Sequence, residues 1–528
     1  MSAAIGSLAR LVRAGWVLAR EGVVTAMAPP DPPALGRLAL WAAGLVERRE
    51  TEGVSRGMRA SRALNRLGPS YVKLGQFLAT RPDVVGRAMA DDLESLQDRV
   101  EPFSSDLART IVEKSLGKPL DELFVSFGDA VAAASIAQVH KARAKGRDGT
   151  IRDVAVKVLR PDVEMRFRRD LDAFYLAARL IEAEAPFTRR LRPVAVVDTL
   201  ARSVRLEMDL RLEAAALSEM AENTRDDPDF RVPSVDWERT QRNVLTLEWI
   251  DGIKLNESER LAAAGHDPVR LARVVMQSFL RHAMRDGFFH ADMHQGNLFV
   301  DAKGDLVAVD FGITGRLNPS ERRFLAEILY GFITRDYRRT ARVHFEAGYV
   351  PANQELDVFA QALRAVGEPL HDRPPREISM AGLLGQLFEY TEVFDMKTQP
   401  RLILLQKTMV VVEGVGRGLD PDLDLWSVSE PVVREWIERN LGPGAKIADV
   451  GESATAVGRL ALALPRLAER LETVSEAAAR WAEGGVRLDA ETVERLARET
   501  HRRGRLQRAI WTVAAASLMA IAYVMMTS

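Results

Sequence analysis

The order of hydrophobic patterns along the chain predicts a two-lobed α+β fold inside a helical envelope, and three observations carry that expectation. Short β-type runs cluster between Ala130 and Leu159. Long helical patterns and one apolar run, Val244–Ile250, come next. Brief strands then recur just before Asp310-Phe311-Gly312. Beyond Pro319 nearly every stretch has helical periodicity, including the Leu-rich Leu460–Leu471.

At 528 residues the chain exceeds what one core usually fills, so more than one unit is expected. Residues 1–60 read as a helical leader. There Ile5, Leu8, Val12 and Trp16 recur at helical spacing with Leu11 beside them, a stripe suited to packing, while Arg10, Arg13 and Arg20 exclude a secretory signal. Pro29, Pro30, Pro32 and Pro33 separate that helix from the next helical stretch. In the helical extension over 61–129, one helix stops near Gly68-Pro69; another starts at Ser104 or Ser105 and ends before Gly117. Residues 130–254 form the smaller lobe: VAAASIAQVHKA and DVAVKVL, joined by KGRDG, read as a hairpin. Helices then run over Val163–Ala183 and Val196–Ala221, and Val244–Ile250 is a buried strand. Residues 255–440 form the larger lobe, with a helix over Pro268–Gly287, strands at Leu298–Val300 and Leu306–Val309 around Lys303-Gly304, then helices that continue through 441–507.

No charge interrupts Ala509–Met526, the segment 509–526. At about 1.5 Å per residue it covers roughly 27 Å, enough to cross a hydrocarbon core. Arg502, Arg503, Arg505 and Arg508 precede it, and Trp511 and Tyr523 sit near its ends. The plain alternative is a buried core helix; the terminal position and basic flank favour a single transmembrane helix in the inner (cytoplasmic) membrane, with the catalytic part cytoplasmic. Ala516 and Ala520 form one small-xxx-small pair, a weak cue to a homodimer. The net charge of −1 gives no pull toward nucleic acid, so no nucleic-acid partner is expected. The absence of cysteine excludes disulfides, thiolate metal sites and a Cys nucleophile.

The sharpest chemical signal is His290–Asn297, HADMHQGN, with Asp310-Phe311-Gly312 after it. Phosphoryl transfer asks a protein for placed carboxylates and Mg2+ rather than covalent chemistry. Kinase-type sites combine a catalytic-loop Asp, a metal-binding Asn five residues later, and the Asp of a later Asp-Phe-Gly. Asp292, Asn297 and Asp310 have that spacing, which predicts a nucleotide–Mg2+ site with Asp292 catalytic and Asn297 and Asp310 as metal ligands. A rival reading makes His290 and His294 metal ligands on one helical face, but Gly296-Asn297 interrupts such a helix.

Val154-Ala155-Val156-Lys157 ends an alternating run in a lysine, ordinarily a solvated side chain. In kinase-type sites that lysine meets the nucleotide phosphates and is held by a Glu from a later helix. Glu207, Asp209 and Glu213 in Leu206–Ala214 are the candidates; on one helix Asp209 and Glu213 share a face and Glu207 lies off it. Where such sites carry G-x-G-x-x-G, this chain has Ala132-Ala133-Ala134-Ser135 leading into Ile136–His140. Alanine restricts the backbone, so the loop should cover a nucleotide with altered phosphate geometry.

The alanine-rich loop, Lys-Leu-Gly-Gln at Lys73–Gln76, Glu-Met-Asp at Glu207–Asp209, HADMHQGN and Asp-Phe-Gly together resemble the UbiB family of atypical kinase-like proteins. The resemblance runs by motif from about Gly68 to Arg316 and implies a two-lobed protein-kinase-like fold. It also implies that the KxGQ segment folds over the cleft, bringing Lys73 and Gln76 to the site. Glu213 would pair with Lys157, and Glu207 and Asp209 would face that segment. It implies ATP or ADP and Mg2+ as cofactors, ATPase or atypical kinase activity, and support of ubiquinone biosynthesis. The implied partners are a membrane lipid or polyprenyl quinone precursor and other quinone-biosynthesis enzymes. Two departures from protein kinases weigh against phosphorylation of proteins in trans. His290-Ala291-Asp292 lacks the arginine that clamps an activation-loop phosphate, and no Ala-Pro-Glu comes after Gly312. The competing readings are a small-molecule phosphotransferase and a nucleotide-gated, non-enzymatic scaffold for membrane lipid enzymes.

Overall fold

The computed structural model of the chain describes residues 2–26, 34–48, 54–79, 85, 87–94, 101–184, 192–371, 390, 393–396 and 400–441. The chain divides into one unit of Met1–Asp31 with Val46–Asn440 and a second of Pro32–Leu45 with Leu441–Ser528. The described part of the second is chiefly the helix Ala34–Val46. Leu441 aside, the helical region expected over 441–507 and the span at 509–526 lie outside the described residues. No helix among the described residues is long and apolar enough to cross a membrane.

In chain order the strands of the first unit are β1 (Ser126–Ala133), β2 (Ala137–Lys145), β3 (Ile151–Leu159), β4 (Phe230–Arg231), β5 (Val244–Glu248), β6 (Gly252–Lys254), β7 (Phe288–His290), β8 (Leu298–Asp301), β9 (Leu306–Ala308) and β10 (Thr314–Arg316). The smaller lobe is the antiparallel sheet β1-β2-β3-β5; the larger holds β4-β9-β8-β6 and the pair β10-β7. The run VAAASIAQVHKA is not one strand. The chain reverses at Ala134–Ile136, where the Ala134 N–H bonds the Ala137 carbonyl at 2.8 Å, so a meander replaces the expected single hairpin.

Alternation along β3 sorts its side chains. Val154, Val156 and Val158 are buried in a cluster with Val112, Phe124, Phe127 and Val244, which leaves Lys157 on the opposite face. The helix Ser105–Leu116 closes that cluster with Ile111, Val112 and Leu116. It ends, as the pattern requires, at a left-handed Gly117 with φ +70°.

The helical pattern over Val196–Ala221 breaks into Pro193–Glu207 and Leu210–Asn223. Tertiary bonds override propensity there. Met208 is buried, the Leu210 N–H bonds the Arg242 carbonyl at 3.0 Å, and Asp209 caps the second helix by accepting the Arg211 N–H. Glu207 and Glu213 therefore sit on different helices rather than on two faces of one. The N-terminal helix Ser2–Arg20 packs against Val163–Glu184; its buried residues include Ser7 and Ala14, with Val17 and Leu18 against the core, while Val12 is exposed. Small buried side chains let helices approach closely, a feature that a stripe of large apolar residues does not reveal.

In the larger lobe, Pro268–Arg281 starts at Asp267, which accepts the Val269 N–H at 2.9 Å, and passes through a π-turn at His282–Asp286. Gly287 then redirects the chain into β7 with φ +66°; a Cβ there would lie 2.5 Å from the Leu317 carbonyl oxygen. Asn318 and Glu321 form a reciprocal capping box on Pro319–Ile333. One core joins Tyr71 and Phe174, Leu217 and Met220 of the Leu210–Asn223 helix, Phe279, Phe289 and Phe311, and Val412 and Val415 of the Pro400–Leu419 helix. Removing one such aromatic side chain costs about 3–5 kcal/mol. Extension, lobes and later helices are thus framed on shared packing.

Candidate nucleotide and metal-binding site

Lys157, Glu213 and Asp310 converge from the smaller lobe, the Leu210–Asn223 helix and the larger lobe. The Lys157 ammonium donates to both Glu213 carboxylate oxygens at 2.9 Å and to Asp310 Oδ1 at 3.1 Å. Burial alone would lower the Lys157 pKa, but the two carboxylates hold it above the ordinary lysine range. Burial raises Glu213 to about 7 against the pull of Lys157, whereas Lys157 holds Asp310 at about 2. Glu213 is 7% exposed, while the Asp310 side chain keeps 49% of its surface open. Asp310 is therefore open to solvent beside the largely buried Lys157–Glu213 pair. Its backbone is left-handed at φ +62°, a conformation that costs a non-glycine residue about 1 kcal/mol or more and recurs at functional sites.

The loop carrying Asp292 is laced to the Asp310 segment by local bonds. His290 accepts the Asp292 N–H at Nδ1 (3.0 Å) and donates from Nε2 to the Val309 carbonyl (3.1 Å). That pair of bonds requires a neutral ring, and burial lowers the His290 pKa accordingly. Asn297 donates its amide to the Asp292 carbonyl at 3.1 Å, and its own carbonyl accepts the Val309 N–H at 2.9 Å. Gly315 lies flat on the Phe289 ring, where a Cβ would stand 2.1 Å from Cζ, so β10 and β7 close tightly around Asp310-Phe311-Gly312. Thr408, which no motif flagged, donates to the Ala291 carbonyl at 3.2 Å and braces the loop from behind.

His294 turns its Nδ1 to the Gly296 N–H at 3.0 Å. With His290 spent on backbone, the two imidazoles are not arranged as a metal pair. The oxygens left to bind a cation are the half-open Asp310 carboxylate and the Asn297 side-chain oxygen, whose amide N–H is directed to the Asp292 carbonyl. Hard oxygen donors suit Mg2+, which takes one or two protein ligands and completes its shell with phosphate and water. Among the described residues no cluster of three or more His, Cys, Asp or Glu is placed to hold a metal.

Lys73, on the helix Pro69–Ala79, pairs with Glu207 at 2.5 Å, both side chains being 13% exposed; Gln76 lies a turn further along the same helix. Asp209 does not share in this contact. Its carboxylate is taken by the Arg211 guanidinium at 2.8 and 2.6 Å, which holds it below the usual carboxylate range. Ala132 and Ala133 end β1, Ala134 and Ser135 form the turn, and the buried Ser135 hydroxyl has no hydrogen-bond partner among the described residues.

Sequence reasoning missed the bracing of this turn. Gln138 accepts the Phe103 N–H at 2.8 Å and donates to the Phe103 carbonyl at 3.2 Å and to His140 Nε2 at 2.9 Å. Gln138 and His140, fully buried at alternate positions on the same strand face as Ala142 and Ala144, hold that bracing.

Residues 95–344 match the ABC1 atypical kinase-like domain and residues 363–424 the UbiB helical domain. Three relatives carry the name "Probable protein kinase UbiB". The one from Marinobacter nauticus is 41% identical over 83% of this chain and 80% of its own, and that from Pseudomonas fluorescens 40% over 75% and 74%. The third, from Aeromonas salmonicida, is 38% identical over 84% and 82%. The solved complex of Rv3197 with erythromycin from Mycobacterium tuberculosis is 24% identical over 68% of this chain and 90% of its own, with a TM-score of 0.48. With relatives of that identity and extent, and with kinase-like and helical domains both present, the chain belongs to the UbiB family of atypical kinase-like proteins.

Proposed function

We propose that the protein binds ATP or ADP with Mg2+ and hydrolyses or transfers the terminal phosphoryl group at the membrane in support of ubiquinone biosynthesis. The single observation that carries this reading is the Lys157–Glu213–Asp310 constellation on an open cleft, with a lysine held between two carboxylates of opposite protonation tendency. Lys157 presents its ammonium to the phosphates, and Glu213 fixes its position. Asp310 and Asn297 hold Mg2+, which when bound neutralises phosphate charge. Asp292 accepts the proton of the attacking water or hydroxyl, its backbone fixed by His290. The Ala132–Ser135 turn roofs the nucleotide in this reading. Lys73, Gln76 and Glu207 line the side where an acceptor would enter, and Asp209 sets the start of the Glu213 helix. The uncharged run at 509–526 supplies the membrane attachment in this reading, with a membrane lipid or polyprenyl quinone precursor as partner.

The test is Mg2+-dependent ATP hydrolysis by the full chain in anionic phospholipid vesicles, with and without a phenolic polyprenyl lipid, against Asp292→Asn. Hydrolysis that needs Asp292 and rises with the lipid supports the proposal. Tight nucleotide binding without hydrolysis in any condition would replace it with the nucleotide-gated scaffold.

A further inference from the structure

The alanine-rich turn is tied to a point far away in the sequence. Arg160, the residue after β3, donates from Nε to the Ala134 carbonyl and from Nη2 to the Glu101 carbonyl, both at 2.9 Å. Its own N–H bonds the Ile136 carbonyl at 2.8 Å, so one residue holds both sides of the turn. The guanidinium also lies over the Phe103 ring at 5.8 Å. The far end of this strut is itself fixed, because Gln138 grips both backbone groups of Phe103 and the Phe103 ring packs against the smaller lobe's core. A planar fork spanning two carbonyls is something arginine does and lysine cannot reproduce.

We propose that Arg160 is a positioning residue that struts the alanine-rich turn to the 101–103 segment, holding the roof at one height over the nucleotide and so setting the preference between ATP and ADP. The proposal rests on the nucleotide-binding reading above. A roof held from behind cannot close down on a shorter nucleotide as a glycine flap does, so the number of phosphates that fit beneath it becomes a property of the strut. Arg160 itself touches backbone and need not touch nucleotide.

The experiment compares full-length wild type, Arg160→Gln and Arg160→Lys by backbone hydrogen exchange without nucleotide, and by affinity for Mg–ATP and Mg–ADP. In Arg160→Gln, exchange within 132–137 should rise about tenfold, as expected for loss of a charge-assisted bond. The ATP:ADP affinity ratio should shift about fivefold or more as preorganisation is lost. Arg160→Lys, which can hold one carbonyl, should fall between and covers the case in which the glutamine variant fails to fold. Unchanged exchange at 132–137 would overturn the strut, and so would raised exchange with an affinity ratio within about twofold of wild type. Wild type that binds neither nucleotide would instead sink the functional reading, and the selectivity claim with it.

Discussion

The roof and the floor of the cleft are held by different kinds of bond. The floor, His290–Asn297 with Asp310, is laced chiefly by contacts between residues close in sequence or across one hairpin: His290 to Asp292, Asn297 to Asp292, and both His290 and Asn297 to Val309, with Thr408 a more distant brace. The roof, Ala132–Ile136, depends on Arg160 and Gln138 reaching back to Glu101 and Phe103. A floor assembled locally can be carried by a short motif, since the residues that do chemistry and those that orient them share one stretch. A roof assembled over long range leaves no such motif.

That comparison can be broken at either end. The largest effect is expected at the ion triad that joins the two. Lys157→Met removes the ammonium proposed to meet the phosphates and leaves the Glu213 and Asp310 carboxylates without it; hydrolysis measured under saturating Mg–ATP should fall about 100-fold or more. On the roof side, Gln138→Leu leaves the Phe103 N–H and carbonyl buried without partners. Urea unfolding should report a loss of about 2–6 kcal/mol, at about 1–3 for each of the two groups. A much smaller loss would mean that the roof is held by apolar packing alone.

A third effect reads the protonation of the triad. Glu213 titrates near 7 in the folded protein, against an ordinary value of 4.5, because burial favours its neutral form. The folded state therefore holds a proton that the unfolded chain has released between those values. The resulting stability is complete below about pH 4.5 and is lost as the pH rises through 7. Urea midpoints taken from pH 5 to about 8 should decline for wild type relative to Glu213→Gln, and parallel curves would refute the assignment. The smallest effect belongs to Ala134→Gly. Freed backbone at the turn should change the ATP:ADP affinity ratio by roughly 2- to 5-fold; an identical ratio would show that the Arg160 strut, and not the alanine, fixes the roof.

Legibility in the sequence divides along the same line. Asp292, Asn297 and Asp310 announce themselves because five-residue spacing and a strand before Asp-Phe-Gly are local properties. Lys157 stands out only through the kinase-type Val-Ala-Val-Lys pattern, since β alternation alone leaves it a solvated lysine, and its pairing with Glu213 came from family resemblance and not from spacing. The break at Met208-Asp209 was hidden, since no glycine or proline marks it and its cause is a backbone bond to Arg242. Asp209, expected to face the KxGQ segment, instead caps a helix and binds Arg211, a role that only the broken helix creates. In the N-terminal helix the most buried positions are Ser7 and Ala14, while Leu8, Leu11 and Trp16 of the apolar stripe are half-buried and Val12 is exposed, so residue size alone did not mark the deepest face.

The most direct test of the central claim is calorimetric titration of Mg–ATP and Mg–ADP into the full chain and into Asp310→Asn, each with and without Mg2+. Wild type should bind nucleotide in a Mg2+-dependent manner, and Asp310→Asn should lose that dependence together with most of the affinity. Equal, Mg2+-dependent binding by both proteins would contradict the assignment of Asp310 and with it the reading of this cleft as a nucleotide–metal site.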